Sequence, residues 1–207
     1  MKKYAPILAF CMLSSCCAST SITSIKNPSL AYIIFSNILV IAPFSDLQMQ
    51  RDFEDEFASM FYSIKVDAFT AQEVIPPIKN YDEQELNKIL NSYGIDGIMV
   101  VSFVDYFTSE TYIPPSSKTT GSASIIGNYL YYKQKTQYYG GYNIIKPNMK
   151  FEIRLYDRKS GEIAWRATSL TRGNAFADID DLLSSLARTT IKLILEDGIL
   201  MKTSARH

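Results

Sequence analysis

Between Met149 and Thr171 the chain alternates with a period of two. Met149, Phe151, Ile153 and Leu155 are apolar, and Lys150, Glu152 and Arg154 stand between them. Side chains on a strand point to opposite faces in turn, so this pattern predicts a strand with one dry and one wet face. Asp157 to Gly161 reads as a turn, with Gly161 placed for a positive φ. Ile163, Trp165 and Ala167 then alternate on the return strand. Residues 149–171 are therefore expected to form a hairpin, its apolar face covered by the rest of the chain.

The elements before it supply that cover. Leu30 to Phe44 is strongly apolar but broken by Ser36, Asn37 and Pro43, which suits a packed lead-in and a buried strand over Ile38–Ala42. Asp46 can cap a helix running to about Ser63. Met49, Phe53, Phe57, Phe61 and Ile64 make its apolar stripe, while Arg51, Asp52, Asp55 and Glu56 face away. Ile64 to Ala68 suits a short strand, and Tyr81–Tyr93 returns to helical spacing before Gly94 stops it. Ile98 to Val104 reads as a second buried strand. Asp178, Asp180 and Asp181 open a last helix with Leu182, Leu183, Leu186, Leu193 and Ile194 inward. Met201–His207 reads as a polar tail.

Residues 106–146 differ in kind. They hold Tyr106, Tyr112, Tyr129, Tyr131, Tyr132, Tyr138, Tyr139 and Tyr142, with Glu110 as the sole carboxylate. Pro114-Pro115 and Gly140-Gly141 punctuate them, which suggests extended structure such as a long hairpin or flap. Three uses fit: a structural cover for the sheet, a recognition surface, or a membrane or ring-forming hairpin. Lys133, Gln134, Lys135 and Gln137 interrupt the alternation a membrane hairpin needs, so recognition is preferred. The expected partner-binding residues are Tyr129, Tyr131, Tyr132, Tyr138 and Tyr139, and tyrosine suits either a protein or the sugars of peptidoglycan.

At the start of the chain, Lys2 and Lys3 precede an apolar run from Tyr4 to Leu13 that ends in Ser14-Ser15-Cys16. A charged head, a short apolar middle and small exit residues are the layout of a secretory signal peptide; the run is too short to span a bilayer. Leu13-Ser14-Ser15-Cys16 resembles the lipobox of bacterial lipoproteins. That resemblance implies a signal peptide over residues 1–15 and a diacylglyceryl lipid on the Cys16 thiol. Cys17 stands where an Asp would favour inner-membrane retention in that family, so the outer membrane, facing the periplasm, is expected. Residues 16–29 read as a lipidated flexible tether of at most ~40 Å, with a single domain over 30–200.

Removing residues 1–15 takes away two of the 21 cationic side chains and none of the 21 anionic ones, leaving a net charge of −2. No basic excess exists to neutralise phosphates, so nucleic acid is not an expected partner. Only Cys16 and Cys17 survive processing, so the body must be held by its core.

The element order implies a mixed α/β fold: a mixed β-sheet with helices on its faces, a C-terminal hairpin, a closing helix and a Tyr-rich insertion over 106–146. Together with the lipobox, the strands Ile38–Pro43 and Ile98–Val101 and the hairpin Leu155–Trp165 look like those of small envelope lipoproteins of uncharacterised type. The domain is similar to those of penicillin-binding-protein activator lipoproteins and the curli secretion-channel lipoprotein.

Residues that carry chemistry are sparse. The one histidine is His207, and no His–Cys or His–Ser pairing can be built. Asp178, Asp180 and Asp181 lack the glycine and downstream glutamate of a calcium loop and suit a helix start. Asp52, Glu54, Asp55 and Glu56 read as a solvated helix face. Gly94 to Gly97 lacks the lysine and serine of a phosphate loop. No cofactor is expected beyond the covalent lipid, and no enzymatic activity. The expectation is a non-enzymatic interaction or assembly factor with an envelope protein or peptidoglycan as partner. A subunit of an oligomeric secretion pore is the alternative, and a cell-wall enzyme or glycan-binding module the third.

Overall fold

The structure, a computed structural model, describes residues 17–126 and 129–200, and the side chains of all of these except 119–134. The leader, Cys16 and the expected polar tail lie outside the described residues.

The fold is a mixed α/β arrangement, as the sequence implied. Among the described residues there are eight strands: β1 Ala18–Lys26, β2 Asn37–Ile41, β3 Asp67–Thr70, β4 Gly97–Ile113, β5 Ser116–Ile126, β6 Tyr129–Tyr139, β7 Tyr142–Asp157 and β8 Ile163–Gly173. The described residues also form four α-helices: α1 Leu47–Ser63, α2 Ala71–Val74, α3 Glu83–Ser92 and α4 Ile179–Glu196. Six strands form one sheet in the order β1-β8-β7-β4-β2-β3, while β5 and β6 pair only with each other. β2 lies between β3 and β4, parallel to both, and the remaining pairs are antiparallel.

Two layers cover the sheet. Ile38 and Val40 of β2 face a large core with Phe53, Phe57 and Phe61 of α1 and Leu182, Leu186 and Ile194 of α4. Leu39 and Ile41 point the other way, towards Val74, Leu86, Ile89 and Leu90 of α2 and α3. Continuous apolarity in β2 is thus the signature of a strand buried on both faces. Asp46 caps α1 by accepting from the Met49 N–H at 2.8 Å. Asp178 and Asp181 cap α4 reciprocally, at 2.9 and 3.3 Å. The acidic start of α4 is a cap, as expected.

The hairpin forms with Gly161 at φ 73°, and Trp165 is fully buried. Ile163 departs from expectation. A register shift between Leu155 and Tyr156 pairs Leu155 with Trp165 but Tyr156 with Ile163, so Ala164 is the extra residue and Ile163 is left part-exposed. The expected strand over Ile64–Ala68 also moves. Lys65 holds φ 64° as α1 ends, with Lys65 and Val66 N–H groups closing on Tyr62 and Phe61 carbonyls, so extension starts only at Asp67.

The expected tether is largely absent. Ala18–Lys26 is edge strand β1, paired along its whole length with β8 from Ala18↔Gly173 to Lys26↔Trp165. Its hydroxyls bond inward: Thr20 Oγ1 lies 2.9 Å from both Thr171 Oγ1 and Ser185 Oγ, and Ser24 Oγ donates to Asp197 at 2.8 Å. A small, polar strand with β-branched residues covers the β8 edge, and by composition such a strand looks like a linker.

Candidate functional site

β4 and β7 do not stop where the sheet stops. β2 pairs with β4 only as far as Val100, and β8 with β7 only from Asn148 onwards. Beyond those points β4 and β7 continue as a two-stranded ribbon to Ile113↔Tyr142, and β5 and β6 extend it from Ser116↔Tyr139 to Ile126↔Tyr129. Among the described residues no third strand pairs with the ribbon. From Thr108 to Ile126, at ~3.3 Å per residue, it has a contour of about 60 Å. The aromatic segment is therefore extended, as its composition suggested.

A β-bulge at Val104 sets how the ribbon meets the body. Phe103 pairs with Phe151 and Asp105 with Lys150, so Val104 has no partner. The extra residue returns Tyr106, opposite Met149, to the same face as Phe103. That face forms one wall of an apolar cavity of about 590 Å³. Phe103, Tyr106, Met149 and Phe151 line it from the sheet, Phe44 from the segment before α1, and Met49 and Phe53 from the start of α1. Ala175, Ala177, Ile179 and Leu182 close it from the turn before α4 and from α4 itself. Its carboxylate, Asp178, is engaged in capping α4. Such a cavity suits an apolar ligand and offers no acid–base pair.

Cys17, the first described residue, lies beside this cavity. The Asn174 N–H donates to the Cys17 carbonyl at 2.8 Å, next to the Ala18↔Gly173 pair. Gly173 is itself in tight contact: a Cβ there would meet Ala177 Cβ at 2.7 Å and Pro147 Cγ at 2.9 Å, both on the cavity wall. Cys17, the cavity and the base of the ribbon therefore share one end of the sheet. Two strand spacings of ~4.8 Å separate β1 from β7, so Cys17 stands about 10 Å from the near strand of the ribbon.

Of the expected partner-binding tyrosines, Tyr138 and Tyr139 are exposed, together with Tyr106, Tyr112 and Tyr142. Tyr129, Tyr131 and Tyr132 have their backbone in β6, and their side chains lie outside the described residues. Cys16, the expected lipidation site, also lies outside them.

Asp52, Asp55, Glu56 and Asp180 share a shallow cleft between α1 and α4, and among the described residues no cluster could hold a metal ion. Glu54 does not belong with them. It is fully buried, and its carboxylate accepts from Ala42 N at 3.1 Å, Gln50 Nε2 at 2.8 Å and Gln72 N at 3.0 Å. Asp96 accepts the Ser36 and Asn37 N–H groups at 2.9 and 3.0 Å, which makes the loop after Gly94 a brace for β2. On the wet face, partial burial pushes the Glu152 carboxyl up, but bonds from Arg154 and Arg166 outweigh it and hold its pKa below the ordinary value. No described helix is long and apolar enough to cross a membrane.

No protein-family model matches this chain, and no curated protein does. Among solved structures, the PelC dodecamer from Paraburkholderia phytofirmans aligns over 88% of this chain and 99% of its own, with 12% identity and a TM-score of 0.47. A second PelC dodecamer structure, of a variant from the same organism, covers 83% of this chain and 94% of its own at 10% identity and TM-score 0.45. Lipoprotein GNA1162 from Neisseria meningitidis covers 78% of this chain and 99% of its own at 16% identity and TM-score 0.42. These similarities fall below the level from which a shared function follows.

Proposed function

We propose that this chain is a lipid-anchored protein of the bacterial cell envelope that works as a non-enzymatic assembly factor, with the ribbon as its assembling part. The observation that carries the reading is the ribbon itself. It projects past the sheet with Tyr112, Tyr138, Tyr139 and Tyr142 exposed. A lone two-stranded ribbon is marginal in water, and bare strand edges beside aromatic surface are templates for a partner. Strand addition or aromatic stacking would supply the contact, with an envelope protein or peptidoglycan as partner. The lipobox-like Leu13–Cys16 supports the anchor.

A specific register favours a second reading, a subunit of an oligomeric pore. β5 and β6 have 11 residues each, and a tilted membrane strand needs ~9–11. Lys118, Lys133 and Lys135 occupy register positions on one face of the hairpin. The opposite face, at the pairs Ser117↔Tyr138, Thr119↔Thr136, Gly121↔Gln134, Ala123↔Tyr132 and Ile125↔Leu130, carries no charge. The lysines that break the alternation along the sequence thus fall on one side once the strands pair. Open edges in a bilayer close only if several copies join into a barrel.

The test is the size of the complex extracted in detergent from envelopes, for the full chain and for a variant with residues 116–139 replaced by a short turn. Assembly through the ribbon expects a complex larger than a monomer that collapses in the variant. Equal monomer sizes for both would overturn the reading. Conductance in planar bilayers, present for the full chain and lost in the variant, separates the pore from an adaptor.

A further inference from the structure

We infer that the cavity end of the domain docks into the lipid leaflet that carries the anchor: Phe176 and Ile179 enter its interfacial region, and the apolar cavity opens to its acyl chains. The inference rests on the lipid-anchored reading above. Its first support is the lack of slack at the anchor. A lipid on Cys16 would leave one residue, Cys17, before the chain is pinned by the Asn174 N–H at 2.8 Å and by the start of β1. A leash of the expected fourteen residues would let the body drift ~40 Å, whereas a one-residue leash holds this end at the bilayer surface.

The second support is what that end presents. Phe176 is 88% exposed, between the cavity-wall residues Ala175 and Ala177. Asn174 Oδ1 accepts the Phe176 N–H at 2.8 Å, so a closed turn displays the ring. Ile179, Phe103, Tyr106 and Ile145 are also exposed around the cavity. Aromatic and aliphatic side chains ringing an apolar hollow, beside an acyl anchor, match the chemistry of a leaflet surface. Asp178, Asp180 and Asp181 stand at the same helix end, so the docking force is apolar burial rather than attraction to anionic headgroups. The opposite end of the sheet holds the polar Arg158–Glu162 turn and lies about 30 Å away along β1.

The experiment uses the full lipidated chain in phosphatidylcholine vesicles made with and without brominated acyl chains. Phe176→Trp is compared with Tyr32→Trp, a 96% exposed position at the opposite end; the buried Trp165 is common to both. Docking expects blue-shifted emission at position 176 and bromine quenching several-fold greater than at position 32. Equal or absent quenching, with the protein still floating with vesicles, would overturn docking and leave the anchor standing. Protein that does not float with vesicles would overturn the anchored reading and docking with it.

Discussion

The indole N–H of Trp165 donates to Oδ2 of Asp197 at 2.6 Å, tying the start of β8 to the residue that caps the end of α4. Ser24 Oγ donates to the same oxygen at 2.8 Å, so one carboxylate joins the edge strand, the hairpin and the closing helix. Trp165→Ala is expected to cost about 3–5 kcal/mol. Trp165→Phe should cost less, since Asp197 keeps Ser24 as a donor. Arg154→Ala, on the wet face, should stay within about 1 kcal/mol. Urea unfolding of the three variants checks this, and equal losses for Trp165→Ala and Arg154→Ala would contradict the register.

Glu54 gives the second prediction. Replacing its carboxylate by a leucine side chain strands Ala42 N, Gln50 Nε2 and Gln72 N, at about 1–3 kcal/mol for each donor left unsatisfied. Asp55→Leu on the exposed side of the same helix should be nearly neutral. Thermal unfolding of the pair measures the contrast.

Much of the fold was legible because caps and periods speak locally. Asp46, Asp178 and Gly161 sit where sequence places them, and the stripe Phe53, Phe57 and Phe61 turns inward. Three features were not legible. Glu54 shares its composition with the solvated Asp52 and Asp55, and only the third dimension brings three donors to it. β1 is written in serines and threonines, and nothing local tells a small polar edge strand from a tether. The cavity is assembled from four separated stretches, so no single window of sequence contains it. The ribbon was legible as extended chain, but its separation of lysines from uncharged positions depends on a cross-strand register that a single strand does not state.

The third prediction concerns acid. Burial pushes the Asp157 carboxyl up, but hydrogen bonds from the Ser160 side chain and the Ser160 and Lys159 backbone, with the Lys159 charge, outweigh it and lower its pKa. A carboxylate depressed in the folded state stabilises fully above its unfolded pKa and loses that contribution as pH falls through the folded one. Stability of the parent protein should therefore fall as pH drops below the ordinary carboxylate range. Asp157→Asn should be less stable at neutral pH and show a shallower fall, read from urea midpoints between neutral and acidic pH.

Fourth, Tyr138→Ser with Tyr139→Ser should shift stability by no more than about 0.5 kcal/mol, since both side chains are exposed on the ribbon. Adding Tyr131→Ser and Tyr132→Ser should leave melting nearly unchanged while the detergent-extracted complex is lost. A large fall in melting temperature would make the stretch structural instead.

Fifth, Cys16→Ser should release the protein from membranes or leave an uncleaved precursor. Acyl chains at ~0.8 kcal/mol per buried CH₂ otherwise hold it there. A mature, membrane-bound Cys16→Ser product in fractionated cells would contradict lipidation.

The bulge at Val104 also governs how the ribbon can change length over generations. Unless a bulge absorbs it, as at Val104, a residue added to or lost from one strand turns every later position on that strand to the other side. In its regular, unbulged part the arm can therefore grow or shrink without inversion by two residues per strand, a ratchet of about 7 Å per step. Deleting Val104 alone would restore a regular ladder, with Asp105 still opposite Lys150 and Tyr106 still opposite Met149, and would remove the local bend where the ribbon leaves the body. Variation in reach and constancy of facing are thereby uncoupled, and an arm of this kind can be refitted to partners at different distances without redesigning its surface.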